Sequence, residues 1–374
     1  MARPITICHP VWRLDTGGME RQLLQIANGL PADRFRHVIV TGDGCTTDDR
    51  TLPNHVTICH EPTRTPDPMW SRRLARVLRE HRVDVLHIRN FAMLLDAVAA
   101  AELSEGVRIV FSFHGLETAQ PNWSPWRARV YREALLRCDA RWTVSARAVE
   151  PVCDALSVPL AAFDELPNGV DTGRFAPTNE KAAIRAALGL PMDRPIVLSV
   201  GNLKPVKGHE YLVQAVGRMD GDSRRACFVI VGQDYLGGRL QQMANQVRGV
   251  EIRFVGAQSN LSEWYQAADV FVLPSLWEGC SNALLEAMAS GLACIATAVG
   301  GNVDLIEHDR TGWLVPPADA AALATAIGSL LHDPTRRNCL GTAARTHIEA
   351  QHGLSITLAR YADRYDSVAG TVVG

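Results

Sequence analysis

Leu273-Pro274-Ser275-Leu276-Trp277-Glu278-Gly279-Cys280-Ser281-Asn282-Ala283-Leu284-Leu285-Glu286-Ala287-Met288-Ala289-Ser290-Gly291 contains a complete strand–loop–helix passage. A buried strand ends at Pro274. A loop follows, and then an apolar helix capped by Ser281 or Asn282 and stopped by Gly291. The first-turn amides of such a helix have no internal partners and favour an anion beyond the strand's carboxyl end. Glu278 sits just before the helix and Glu286 about one turn inside it. A carboxylate can accept hydrogen bonds from paired sugar hydroxyls. Read singly, Glu278 is a loop carboxylate and Glu286 a solvated helix residue. Glu286, however, lies between Ala283-Leu284-Leu285 and Ala287-Met288-Ala289, and an acidic residue in so apolar a helix needs a partner.

Outward from this passage, short apolar runs alternate with helical patterns. Strands are expected at Ile5–Val11, His37–Thr41, Val56–Cys59, Val83–Ile88, Arg108–Phe113 and Arg141–Val144, with amphipathic segments such as Met19–Leu30 and Trp70–His81 between them. Pro167-Asn168-Gly169-Val170-Asp171 punctuates the chain. The alternation then resumes at Ile196–Val200, Cys227–Val231, Ile252–Val255, Val270–Leu273 and Cys294–Ala298. Such alternation predicts parallel sheets covered on both faces. The fold class is α/β, with two Rossmann-like doubly wound domains facing across a cleft. Expected boundaries are 1–170 for the N-terminal, acceptor-side domain and 171–354 for the C-terminal, donor-side domain. Residues 355–374 are expected to form a helix packing back on the first domain. Ligands in such sheets lie beyond the strands' carboxyl ends.

The chain of 374 residues suits two domains, and Lys+Arg 38 against Asp+Glu 40 argues for no nucleic-acid partner. Only Lys181, Lys204 and Lys207 are lysines. Nine scattered cysteines lack zinc spacing and read as reduced, mostly buried thiols. No charged-then-apolar leader opens the chain, and no apolar run reaches the ~20 residues a membrane span needs. The expected location is cytoplasmic, with peripheral contact at the inner face of the cell membrane left open.

Three further segments carry polar groups beyond strands. In Val200-Gly201-Asn202-Leu203-Lys204-Pro205-Val206-Lys207-Gly208, a Lys after a Gly-containing turn is a point charge for phosphate, or else an exposed loop Lys. In Asp15-Thr16-Gly17-Gly18-Met19-Glu20, paired glycines allow close backbone approach, or simply turn the chain. In Phe111-Ser112-Phe113-His114-Gly115, His114 ends a strand, where a structural role and a site role compete evenly.

Taken together these residues resemble glycosyltransferase family 4, whose fold is GT-B. The resemblance covers essentially the whole chain and is most specific from Asn168 to Pro317. Its hallmark, two glutamates separated by seven residues, is matched by Glu278 and Glu286. The resemblance implies that Glu278 contacts the donor sugar and Glu286 holds the ribose hydroxyls. Gly279, Cys280, Ser281 and Asn282 would carry the amides for the diphosphate. Lys207 matches a family Lys, whereas Asn202 stands where the family has an Arg. Gly17 and Gly18 match a Gly-Gly loop beside the donor phosphates. His114 matches a His contacting the donor sugar. Arg253-Phe254-Val255-Gly256 would pass the base edge, Val299-Gly300-Gly301 would close the donor pocket, and Asn168 and Asp171 belong to the interdomain turn.

The resemblance implies a retaining, metal-independent hexosyltransferase using a nucleotide diphosphate donor, a UDP-sugar first and GDP-mannose second. The acceptor would be a glycan or lipid-linked sugar in bacterial polysaccharide or glycolipid assembly. His114, Lys207 and Glu278 are the catalytic candidates, with no protein nucleophile assigned. No D-x-D motif appears in a metal-binding setting, so no metal is expected, and no cofactor beyond the co-substrate. A glycoside hydrolase would need its two carboxylates about 5 to 10 Å apart across the scissile bond, and here an anion-binding helix start lies between them. A pyridoxal-phosphate phosphorylase would need a Lys late in the chain, and none follows Lys207. A nucleotide-sugar epimerase or a non-catalytic nucleotide-sugar-binding protein remain alternatives. Trp123-Ser124-Pro125-Trp126-Arg127-Ala128-Arg129-Val130-Tyr131-Arg132 and the Arg72, Arg73, Arg76, Arg79 run read first as surface helices with Arg faces. A membrane-interface or lipid-phosphate role is the competing reading.

Overall fold

The computed structural model describes residues 3–14, 17–43, 52–62, 67, 69–116 and 121–370. The chain divides into two compact units, one of Met1–Gly115, Gln120–Asn168 and Ser355–Gly374, the other centred on Gly169–Leu354.

The first unit alternates β1 (Ile5–Val11), α1 (Gly18–Gly29), β2 (Phe35–Thr41), β3 (Val56–His60), α2 (Trp70–Glu80), β4 (Val85–Arg89), α3 (Leu94–Glu102), β5 (Arg108–Phe113), α4 (Pro125–Leu136), β6 (Ala140–Thr143), α5 (Ala146–Leu156) and β7 (Asp164–Glu165). The second contains α6 (Lys181–Ala187), β8 (Ile196–Val200), α7 (His209–Arg218), β9 (Cys227–Val231), α8 (Arg239–Ala244), β10 (Glu251–Phe254), α9 (Leu261–Ala267), β11 (Val270–Leu273), α10 (Asn282–Ala289), β12 (Ala293–Thr297), α11 (Asn302–Leu305), β13 (Trp313–Val315), α12 (Ala320–His332) and α13 (Pro334–Gln351). A last helix, α14 (Leu354–Gly370), rejoins the first unit.

Strand order in the first sheet is β3-β2-β1-β4-β5-β6-β7, and in the second β10-β9-β8-β11-β12-β13. Every described pairing is parallel. Strand order reverses between β1 and β4, where Ile7 faces Val85, and between β8 and β11, where Val197 faces Val270. Those reversals open crevices beyond the strand ends. The expected strands are present with ends displaced by one or two residues. β7 and β13, not expected from the sequence, are edge strands of two and three residues, too short to carry a periodic pattern.

Central strands are buried on both faces because helices cover both. In the second unit, Leu198, Val229, Phe271 and Cys294 pack with α10 residues Leu284, Leu285 and Met288. The opposite faces of the same strands place Val197, Phe228, Val270 and Ile295 with Leu212, Leu323 and Ile327. In the first unit, Ile7, Phe35, Val85, Val110 and Trp142 are sealed by Tyr361 and Tyr365 of α14. Gly29 permits this approach, since a Cβ there would overlap Leu358. No described helix is long and apolar enough to cross a membrane.

Candidate active site

The passage from Leu273 to Gly291 folds as its capping residues dictate. Ser281 is the N-cap of α10, its side chain accepting from the Leu284 amide at 3.3 Å. Ser290 ends the helix, and Gly291 follows at φ +73. Gly279, Cys280, Ser281 and Asn282 therefore form the approach to a helix N-terminus at the carboxyl end of β11.

Both glutamates are buried. Glu278 accepts from Lys207 Nζ at 2.7 and 2.9 Å and from Ser275 Oγ at 2.6 Å. Lys207 reaches it because the loop after β8 lies against the strand-end loop after β11: the Leu276 amide donates to the Val206 carbonyl at 2.8 Å. Gly208, at φ +62, makes that approach possible, since a Cβ there would overlap the Pro274 carbonyl oxygen. Gly300, at φ +43, presses equally close to the Glu278 carbonyl, and the Gly301 amide donates to that carbonyl at 3.2 Å. Three loops thus converge on Glu278, the Lys207 loop and its own at the carboxylate and the Gly300 loop at the backbone carbonyl. Glu286 accepts from the Tyr265 hydroxyl of α9 at 2.9 Å, which supplies a partner for an acid within an apolar helix.

The departure at Asn202 is built in: its Oδ1 accepts from the Gln233 amide at 3.3 Å, tying the loop after β8 to the loop after β9. Lys204 Nζ lies 5.4 Å from the Tyr235 ring centroid, a cation–π geometry. The third lysine, Lys181, is paired with Asp269 at 2.7 Å. The Arg253 guanidinium is committed to Glu251 at 2.6 Å and to the Gly189 carbonyl at 2.7 Å. Phe254, Val255 and Gly256 follow it at the end of β10, where the Gly256 carbonyl accepts from the Gly232 amide.

In the first unit, Gly17 is the N-cap of α1 and Gly18 its first residue. A Cβ on Gly17 would overlap the Glu20 carboxylate, so that carboxylate folds back over the turn. Asp15 and Thr16 lie outside the described residues. His114 sits one residue past β5. Its amide donates to Asn90 Oδ1 at 2.8 Å, and its Nε2 pairs with Ser112 Oγ at 2.8 Å. Burial, then the nearby Arg89 guanidinium, lowers its pKa to about 3, so the imidazole is held neutral. Asn90 holds this arrangement at φ +61, a conformation rare outside glycine. Asn168 is buried in the first unit, and Asp171 caps the turn that opens the second by accepting from the Gly173 and Arg174 amides at 3.0 Å.

Ser275, Tyr265, Asn90 and Arg89 do not stand out in the sequence. One signal is present: Leu86-His87-Ile88-Arg89 alternates apolar and polar residues within a strand that proves wholly buried. Three arginines of the α2 run are bound at home, Arg73 on Asp67 at 2.5 Å, Arg76 on Glu61 at 2.7 Å and Arg79 on the Leu103 carbonyl. Trp123 meets Phe91 and Tyr131 edge to face, while Trp126 is exposed.

Residues 16–174 match the family model Glycosyltransferase Family 4, and residues 194–333 match Glycosyl transferases group 1. The chain is similar to a protein of Mycolicibacterium smegmatis named GDP-mannose-dependent alpha-(1-6)-phosphatidylinositol monomannoside mannosyltransferase. It is 31% identical to it over 316 residues, covering 80% of this chain and 81% of that one. It is also similar to the Escherichia coli UDP-Gal:alpha-D-GlcNAc-diphosphoundecaprenol alpha-1,3-galactosyltransferase, 27% identical over 330 residues, covering 84% and 85%. Among solved structures, a glycosyltransferase from Rickettsia africae superposes with a TM-score of 0.83 at 20% identity, covering 98% of this chain and 99% of that one. With its two parallel-sheet units and its paired glutamates, the chain belongs to glycosyltransferase family 4 and is a glycosyltransferase of the GT-B fold.

Proposed function

We propose that the protein is a retaining, metal-independent hexosyltransferase that takes its sugar from a nucleoside diphosphate and delivers it to a glycan or lipid-linked acceptor. The observation that carries this reading is the placement of two buried carboxylates, Glu278 and Glu286, on either side of the start of α10, with the Lys207 ammonium on the first. A diphosphate at the helix start meets amides and a cation, while its two sugars meet carboxylates that accept from hydroxyls.

Breaking the anomeric carbon–phosphate bond places positive charge on the ring and negative charge on the departing diphosphate. Lys207 and the amides from Gly279 to Asn282 stabilise the leaving group, the task a metal performs elsewhere. Glu278 accepts from the donor sugar's hydroxyls and Glu286 from the ribose. Val255 and Gly256 offer backbone groups to the base edge. Gly17 and Gly18 are assigned to the donor phosphates, and His114, as a neutral imidazole, to the donor sugar. A donor phosphate oxygen takes the acceptor proton, so attack occurs on the face the leaving group vacates and configuration is retained.

The donor choice rests on relatives. On sequence grounds UDP-hexoses come before GDP-mannose. The relative at 31% identity is named for GDP-mannose and the one at 27% for UDP-galactose, which moves GDP-mannose to the first test. Both names describe lipid-linked acceptors, which supports glycolipid over exopolysaccharide assembly. Thermal shift and nucleotide release should be measured across GDP-, UDP- and ADP-sugars, with and without EDTA. Stabilisation by one class and EDTA-resistant turnover are expected; a strict Mn²⁺ or Mg²⁺ requirement overturns metal independence.

A further inference from the structure

Beneath His114 the first unit buries three histidines, His9, His37 and His87, and one arginine with no carboxylate paired to that arginine among the described residues. Arg89 ends β4 almost wholly enclosed. Its Nη1 lies 2.8 Å from His9 Nδ1, and its Nε and Nη2 reach no acceptor among the described residues. The guanidinium also stands beside the Tyr365 phenol. Two hydrogen-bonded lines lie here, one starting at this cation and one passing beside it. One joins His9 Nε2 to His37 Nδ1 at 2.9 Å. The other runs from Tyr365 Oη to His87 Nδ1 at 2.6 Å, from His87 Nε2 to Ser112 Oγ at 2.8 Å, and from Ser112 Oγ to His114 Nε2 at 2.8 Å.

We infer that the line Tyr365–His87–Ser112–His114 is polarised by Arg89 and holds His114 in the tautomer protonated on Nδ1, so that Tyr365, His87 and Ser112 are positioning residues for its substrate contact. The inference rests on the donor-sugar role proposed for His114 and adds the direction of its hydrogen bond.

The direction follows from donor inventories. Among the described residues the Tyr365 phenol has one hydrogen-bond partner, His87 Nδ1 at 2.6 Å, and the neighbouring positive charge of Arg89 turns the phenol hydrogen away from itself. The phenol's own hydrogen then points at His87 Nδ1, the acceptor within reach. Burial, the leading influence, raises the Tyr365 pKa and keeps that hydrogen in place. His87 Nδ1 accepts, so its proton sits on Nε2 and is given to Ser112 Oγ. The single hydroxyl hydrogen of Ser112 is left for His114 Nε2, and the His114 proton is on Nδ1. The second line repeats the polarity: Arg89 donates to His9 Nδ1, His9 Nε2 donates to His37 Nδ1, and the last hydrogen, on His37 Nε2, lacks an acceptor among the described residues. Only neutral imidazoles can form these lines. Burial is the first cause of that neutrality at His9, His37, His87 and His114, and Arg89 adds to it at each. His114 thus offers an N–H from Nδ1 to a sugar oxygen, and cannot accept there.

Histidine-selective ¹⁵N NMR of the free protein reads the tautomer directly, with H114Q assigning the signal. The expected spectrum has a proton on Nδ1 and a bare, hydrogen-bonded Nε2. In S112A and Y365F the Nδ1 preference should weaken, and S112T should restore it. In S112A, nucleotide release from GDP-mannose, or from UDP-glucose if that is the donor turned over, should fall on the order of tenfold in kcat with donor KM little changed. A wild-type proton on Nε2 overturns the inference, as does a tautomer unmoved in both S112A and Y365F. Because the tautomer is read without donor, it fails or stands independently of the transferase reading. Unchanged S112A turnover with a weakened Nδ1 signal overturns the positioning role alone.

Discussion

Lys207 and Glu278, separated by 71 positions in the chain, form a two-pronged ion pair with Nζ 2.7 and 2.9 Å from the carboxylate oxygens. Glu278 is buried and Lys207 is about a quarter exposed. In the free protein the pair satisfies the carboxylate. In the proposed complex the donor diphosphate would compete for the ammonium and sugar hydroxyls for the carboxylate, so binding would exchange the partners of the pair.

Lys207→Met removes the cation and leaves Glu278 with Ser275. A loss of about 1–3 kcal/mol in urea denaturation is expected for the orphaned carboxylate. A fall of about 10²–10³ in kcat is expected from the lost leaving-group charge. Lys207→Arg should recover most of the stability. Initial rates within threefold of wild type for Lys207→Met would remove Lys207 from the mechanism.

Glu286→Ala is expected to weaken binding of the nucleoside diphosphate, measured by calorimetry, because the ribose loses its acceptor. Tyr265→Phe leaves Glu286 without that hydroxyl and should cost about 1 kcal/mol of stability while largely sparing affinity. Equal affinity in Glu286→Ala and wild type would sink the ribose assignment.

Glycine positions separate backbone strain from close approach. Gly256 has φ +69 with nothing near a Cβ, whereas Gly300 has φ +43 and lies against the Glu278 carbonyl. Gly256→Ala should cost about 1–2 kcal/mol, the left-handed penalty alone. Gly300→Ala should cost more and also cut turnover by displacing Glu278. Similar kinetics in the two variants would contradict the packing argument.

Stability should fall steeply on acidification. His9, His37, His87, His114 and His209 all have lowered pKa values, with burial the first cause, and three of them lie at about 3. The unfolded chain binds protons at these sites near pH 6.5, while the folded chain resists until far lower pH. Their contribution is therefore present above about pH 6.5 and is lost as pH falls, at about 1.4 kcal/mol per pH unit for each histidine. Urea midpoints between pH 7.5 and 5 should show this slope, and His37→Gln should reduce it by one proton's worth. A flat profile would mean that the imidazoles are not held neutral.

Strand–helix alternation, the domain count and the Glu278–Glu286 passage were legible from residues alone, because each is written in contiguous sequence. Buried strands are apolar runs, and Ser281 and Gly291 bracket a helix through their own capping chemistry. Partnership of buried polar groups was not legible. Lys207 meets Glu278 because β8 and β11 are neighbours across a strand-order reversal. Tyr265 meets Glu286 because α9 packs beside α10. His114 reaches Tyr365 only because the last helix returns to the first unit. A buried polar group must find a partner wherever the fold places one. Local periodicity determined which residues would be buried, and the order of strands and the path of α14 decided which of them would meet.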